Sequence, residues 1–335
     1  MTHRPLRPLH ILVPAATLSS LVAVAALADN PVRVGTSPWG KHDEIGTLNM
    51  MNDASRAKIM RRIDGGTVYD LSVEYYNGMP SWSAIGDPTY QYWLTHTPNG
   101  TAVDDPLKVG KQQNELISYT GDAISMYTHT GTHIDTLNHF GLHGEMYNGF
   151  AAHKHLGDQG WHKGGAEKFP PIISRGVLID VARAKGVTVL PPSYQITVAD
   201  LKAALERQRT TLSPGDAVFV RTGKMTLFGQ RDAYLADPPG LSLAGAKWLV
   251  ETQRAMLIGA DNLSLEGFPV VEKNNWIPVH SYLLAEKGVP IMEVVNLEDI
   301  SRDRVYEFAF VGASLKLRGA SGSPMRPLAF PLRAR

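Results

Sequence analysis

The chain has 335 residues, 43% of them hydrophobic and 19% charged, with a formal net charge of +1. That composition sets aside intrinsic disorder, and the near-neutral balance lacks the basic footprint of a nucleic-acid partner. Cysteine is absent, which excludes disulfides, thiolate nucleophiles and cysteine-ligated zinc together.

Arg4 and Arg7 open a short basic start. The run from Ile11 to Leu27 is mostly apolar, interrupted by Pro14, Thr17, Ser19 and Ser20, and ends in Ala26-Leu27-Ala28. It reads as a secretory signal peptide over residues 1–28, cleaved after Ala28. A membrane anchor is disfavoured because the run is short and broken and a small–x–small cleavage pattern follows it directly. Cleavage takes away two positive charges and no acidic group, leaving a single domain, residues 29–335, at a net charge of −1. A cysteine-free exported chain reads as periplasmic or secreted, with no membrane partner once the signal is gone.

Residues 52–63 have the pattern of a short helix capped near Asn52 or Asp53, and residues 67–75 that of a strand rich in Val, Tyr and Leu. Residues 77–115 carry Gly78, Pro80, Gly86, Pro88, Pro98, Gly100, Pro106 and Gly110, which predicts a long irregular binding loop or lid. Its Trp82, Tyr90, Tyr92 and Trp93 either wall a substrate pocket or pin the loop to the body. Apolar runs at 176–181, 216–221, 256–260, 289–295 and 305–316 read as strands. Helical patterns fill 197–209, opening on a capping-box-like Thr197 and Asp200, and 242–257, opening at Ser242. A further short helix starts after Pro278 and stops at Gly288. The expected fold is α/β, a central β structure flanked by helices.

Seven of the twelve histidines lie between 129 and 162. The dense part reads His129-Thr130-Gly131-Thr132-His133-Ile134-Asp135-Thr136-Leu137-Asn138-His139. Imidazole nitrogen and carboxylate oxygen suit zinc, manganese or iron, and His129, His133 and Asp135 can converge on one ion. His133 and Asp135, two apart, share one face of a strand. His129 must reach the same point across Gly131, where a residue without a side chain permits an unusual turn. His139 need not be a ligand; a neutral imidazole there can take a proton from water. A solvated or hydrogen-bonded histidine would be the better reading for one such residue, but not for this spacing. His143, His153, His155 and His162 lack it and are left as surface or pocket residues.

This segment resembles the His-x-Gly-Thr-His-x-Asp-x-Pro-x-His signature of the cyclase family, which includes bacterial kynurenine formamidase and isatin hydrolase. Trp39 to Asn49, Gly215 to Gly223, Pro239 to Ser242, and Gly322-Ser323-Pro324 with Arg326 resemble further landmarks, so the likeness runs through nearly the whole mature chain. It implies a swivelling β/β/α fold and a homodimer. It also implies metal ligation by His129, His133 and Asp135, with His139 as general base. His280 falls on a later family histidine, and Glu293 on a carboxylate that completes a two-metal site in the formamidases. The implied cofactor is Zn2+ or Mn2+, one or two ions per subunit. The implied reaction is hydrolysis of a small amide, lactam or lactone, with a non-catalytic periplasmic metal- or ligand-binding protein as the alternative. Leu137 departs from the family's proline.

Without the resemblance, His280 is a lone histidine on a helix face. Glu293 in an apolar run is either metal-bound or on a solvent-facing edge, because an unpaired buried carboxylate costs several kcal/mol. Asp261 is a strand-end turn residue or a partner of a ligating imidazole. Arg221 binds a substrate carboxylate or an internal acid.

Overall fold

The structure is a computed structural model describing residues 32–333; the expected signal peptide lies outside the described residues. Residues 33–333 form one compact unit. Nine strands make its main sheet: β1 (Tyr69–Asp70), β2 (His133–Asp135), β3 (Ile172–Asp180), β4 (Ala217–Arg221), β5 (Leu257–Ala260), β6 (Ile291–Glu293), β7 (Glu307–Gly312), β8 (Gly322–Pro324) and β9 (Leu328–Pro331). Their order across the sheet is β1-β9-β7-β3-β4-β5-β6-β2-β8.

The four central strands β3, β4, β5 and β6 run parallel, and the strands on either side are antiparallel. Parallel strands are covered on both faces and therefore read as continuous apolar runs, as Val177-Leu178-Ile179 and Ala217 to Val220 do. Helix α1 (Val198–Gln208) connects β3 to β4, with the expected Thr197–Asp200 capping box. Helix α2 (Leu243–Lys247), continued by a π turn Trp248–Thr252, connects β4 to β5. Helix α3 (Pro278–His280), continued by a π turn Ser281–Lys287, leads into β6 and ends on Gly288 at φ 63°. Each crossover buries an apolar stripe on the sheet, where one fully buried Leu or Phe contributes about 1.5–3 kcal/mol. Just beyond β7 and β8, Ser314 bridges to Met325, so the sheet curls toward closure.

Three expectations are corrected. The strand at 67–75 is only Tyr69–Asp70 in the ladder. Beyond it, Leu71 N–H donates to Pro327 O, Val73 N–H to Thr132 Oγ1 and Tyr75 O–H to Thr132 O, so the segment straps itself to the histidine loop instead. The stretch 77–115 is not irregular throughout. It contains a strand Gln91–His96, paired with Gly121–Ser125, and helices Pro98–Asp104 and Lys111–Leu116. Pro98 and Gly110, read as breakers, instead stand at the first position of one helix and the N-cap of the other. Finally, the helix expected to reach 257 stops at Thr252, because Met256 and Leu257 are taken into the sheet region, Met256 N–H donating to Asp216 O. Asn52 does cap the first helix, Asp53–Met60, as expected.

Candidate metal centre

β2 lies between β6 and β8. Its His133 is opposite Glu293 on one side and Pro324 on the other, and its Asp135 is opposite Ile291 and Gly322. Strand alternation puts His133 and Asp135 on one face, with the wholly buried Ile134 on the other. Cross-strand pairing puts Glu293 on the His133 side, with Oε2 3.5 Å from His133 Nε2. Glu293 is therefore buried at the centre, not on a solvent-facing edge.

Gly131 has φ +63°, and a Cβ there would run into the Tyr75 ring. That turn carries His129 back over β2, where its ring lies against Gly322 in space a side chain at 322 would fill. His129 Nδ1 is 2.5 Å from Asp135 Oδ1 and its Nε2 is 3.0 Å from Ser321 Oγ. His139 stacks on His129 with ring centroids 3.8 Å apart. From α3, His280 brings Nε2 to 3.1 Å from Glu293 Oε1 and 3.8 Å from Asp135 Oδ2.

The structure thus brings together all six residues singled out in the sequence. Two donor sets, each with ligand atoms within 4.8 Å of one another, form around Asp135: His129, Asp135 and His139, and His133, Asp135 and Glu293. His133 Nδ1 is 2.8 Å from Gly131 O, which fixes its tautomer and leaves Nε2 directed at the centre. That Nε2 and Asp135 Oδ2 are buried with no hydrogen-bond partner. Orphaned buried polar atoms are costly, and a divalent cation is what two such atoms beside a second carboxylate would satisfy. With nitrogen and oxygen donors and no sulfur, the residues present fit such an ion.

Charge is distributed unevenly. Burial and the neighbouring His129 hold His139 well below the ordinary imidazole value, so it is neutral. Burial opposes charge on His280, but hydrogen bonds with Glu266 and Glu293 outweigh it and push it up to about 10. Burial, with Asp135 beside it, raises Glu293, whereas the surrounding imidazoles outweigh burial and hold Asp135 well below the usual carboxylate range.

A family model described as cyclase matches residues 69–267, more than half of the chain. The chain belongs to the cyclase family. Cyclase-like protein 3 of Oryza sativa subsp. japonica is 24% identical over 262 residues, covering 78% of this chain and 79% of the rice protein. A crystal structure described as a novel cyclase covers 89% of this chain and 100% of its own, with 29% identity and a TM-score of 0.78. Isatin hydrolase A from Ralstonia solanacearum gives a TM-score of 0.60 at 20% identity, covering 80% of this chain and 92% of that one, a likeness of fold alone. The curled α/β sheet with flanking helices is the architecture of these cyclase relatives.

In the folded chain, the open alternatives resolve. Arg221 is an internal ion-pair residue, bound to Glu298 and Asp180. Asp261 is a strand-end turn residue. Its carboxylate accepts hydrogen bonds from Thr222 N–H, Thr222 Oγ1 and Gly223 N–H, and burial pushes it up to about 6. Tyr90 pins its loop edge-on against Tyr75, while Tyr92 and Trp93 are exposed. The aromatic surface at the centre is instead Phe140, between His139 and His280, with Trp276 beyond it. Leu137, in place of proline, is buried against Gly46.

Sequence reasoning missed Glu266. Its Oε1 is 2.7 Å from His280 Nδ1 and accepts His280 N–H, and its Oε2 accepts Val279 N–H. No spacing signal links positions 266 and 280; the contact exists only once α3 is folded.

Proposed function

We propose that this centre holds one or two divalent cations, zinc or manganese, and that the protein is a metal-dependent hydrolase of a small amide, lactam or lactone. The observation that carries the reading is the donor set of His133, Asp135 and Glu293, with two of its buried ligand atoms, His133 Nε2 and Asp135 Oδ2, left unpaired. His129, His133, Asp135, Glu293 and His280 are the residues that would hold the ions. A cation there would polarise an acyl carbonyl and make a nearby water easier to deprotonate.

The chain's own residues supply the rest. His139, neutral and half-buried, accepts the proton of the attacking water on its imidazole and returns it to the leaving nitrogen or oxygen. Its stacking on His129 holds the ring in place. Phe140 supports the other face of the centre and excludes water from it. The acyl-bond class rests on the family resemblance, to which the relatives named isatin hydrolase add a fold-level analogy.

A second reading gives His139 to a cation, since its nitrogen also lies within reach of His129 and Asp135. One variant separates the two. With His139→Ala, elemental analysis is expected to find unchanged metal, while hydrolysis across isatin, N-formyl aryl amines and small lactones falls by about 10²–10⁴-fold. Lost metal would make His139 a ligand, and unchanged turnover would remove it from the chemistry. A wild-type protein that binds metal but hydrolyses none of the panel would favour the binding-protein alternative. Export of the chain to the periplasm is part of the same proposal, and cell fractionation tests it.

A further inference from the structure

Away from the metal centre, a cleft of about 180 Å³ opens between the first helix, Asp53–Met60, and the N-terminal ends of β3 and β4. Glu293 is the last residue of β6, which runs parallel to those strands, so the centre and the cleft lie toward opposite ends of the sheet. Nothing in the proposed hydrolysis uses this cleft.

Three cations and one carboxylate line it: Lys58, Arg62, Arg175 and Asp216. Arg175 and Asp216 answer each other. Arg175 donates through Nη1 to Asp216 Oδ2 at 2.6 Å, through Nη2 to Thr211 O and through Nε to Glu307, and Ser213 N–H also donates to Asp216. Lys58 and Arg62 have no such partner. Ser55, Lys58 and Ile59 are three and four residues apart and share one helix face, and Arg62 follows in the turn beyond. Arg56 on the same helix is paired with Asp53, but neither Lys58 nor Arg62 has an acidic partner among the described residues.

Unpaired surface cations are ordinarily just solvated. A second observation sets these apart. Ser174 lines the same cleft at 6% exposure, and its Oγ is buried with no hydrogen-bond partner. A buried hydroxyl left open is costly, and an acceptor brought into the cleft would satisfy it. Burial pushes Asp216 up to about 6 against the pull of Arg175, which marks a poorly hydrated floor where opposite charges attract more strongly than in water.

The remaining walls are apolar: Met50, Met51, Ile59 and Pro214. Methionine adapts its shape to what it packs against. A cavity of about 150 Å³ holds a benzene ring, so this cleft has room for a body of that size. Apolar walls solvate a compact dianion such as phosphate poorly, whereas a carboxylate can carry an apolar body with it.

We propose that this cleft is a second ligand site, which takes a small organic monocarboxylate. Lys58 and Arg62 bind the carboxylate, Ser174 Oγ donates to it, and Met50, Met51 and Ile59 cover the apolar body.

Benzoate is the probe, titrated calorimetrically into the metal-loaded protein. Any benzoate taken up at the metal centre is common to wild type and variant, so the difference between them reports the cleft. Wild type is expected to bind one equivalent more than the double variant Lys58→Met with Arg62→Met, at unchanged metal content. If the double variant does not fold, Lys58→Glu alone takes its place and is expected to weaken that equivalent by about 10-fold or more. Benzamide, which has the ring without the charge, and inorganic phosphate, which has charge without the ring, are expected to leave the cleft empty. Equal benzoate uptake by wild type and variant would overturn the proposal. Benzamide binding as tightly as benzoate would overturn it too, since charge would then play no part. Phosphate taking up the same equivalent would overturn the ligand class, leaving a bare oxyanion site.

Discussion

Two buried clusters of charge lie on the same sheet, and they are built on opposite terms. At the C-terminal ends of β3 and β4, Arg221 donates through Nε and Nη2 to Glu298, both at 2.8 Å, and through Nη1 to Asp180 Oδ1 at 3.0 Å. Ser301 Oγ, Arg183 N–H and the Arg183 guanidinium, whose Nε is 3.4 Å from Oδ2, make the other contacts of Asp180. Burial opposes the guanidinium charge, and the carboxylates overcome it and hold Arg221 firmly protonated. Nothing in that cluster asks for a further partner. At β2 and β6, by contrast, two carboxylates and four imidazoles are packed together and still leave His133 Nε2 and Asp135 Oδ2 unanswered. Buried charge that closes on itself holds a fold together; buried charge that stays open at one point marks a site for something else.

Breaking the open cluster should have the larger effect on function. Asp135 belongs to both donor sets, so Asp135→Asn is expected to abolish metal retention and lower any hydrolysis by about 10³-fold, the scale of losing one preorganised charge-stabilising group. Thermal stability of the metal-stripped protein should change little, because the substitution keeps the shape. Metal content equal to wild type after dialysis would show that Asp135 is no ligand.

Breaking the closed cluster should do the reverse. Arg221→Met takes the cation from Glu298 and leaves Asp180 only the Arg183 guanidinium, with Nε 3.4 Å from Oδ2, and removing one partner of a buried ion pair costs about 3–5 kcal/mol. Urea denaturation of metal-stripped protein reads that loss directly. Once folded, the variant is expected to bind as much metal as wild type. If metal content fell while stability held, the distinction between the two clusters would fail.

The sequence reveals these clusters unequally, for physical reasons. The spacing His129, His133, Asp135 and His139 is visible because strand alternation and one glycine turn are local rules, and they suffice to aim those side chains. Glu293 is legible as an acid inside an apolar run, although only the β6–β2 register places it beside His133. The parallel strands are legible because burial on both faces leaves uninterrupted apolar runs. The hairpin at 91–96 and 121–125 is hidden, since its pairing spans two helices and its residues are exposed, so no burial pattern marks it. Residues 71–75 are misread as strand because β-forming side chains are equally content in an extended strap that bonds to Thr132. Arg221 and Asp261 stay ambiguous in the sequence because an acid or a base alone does not name its partner.

Glu266 lies between the two kinds of cluster and sharpens the comparison most finely. It closes on α3, accepting Val279 N–H and His280 N–H at 3.2 and 3.1 Å, which is a structural task. It also faces His280 Nδ1 at 2.7 Å, which fixes that ring's tautomer and directs Nε2 at Glu293, a task belonging to the centre. Glu266→Gln separates them. The amide oxygen can keep the contacts with His280, while the amide NH2 meets Val279 N–H as donor against donor, at a cost of about 1–3 kcal/mol in stability. The lost negative charge should also make His280 a poorer ligand and weaken metal binding by about 10–100-fold, measured by competition with a chelator at fixed pH. A stability loss with unchanged metal affinity would place Glu266 wholly on the closed side, as a helix cap that happens to touch a histidine.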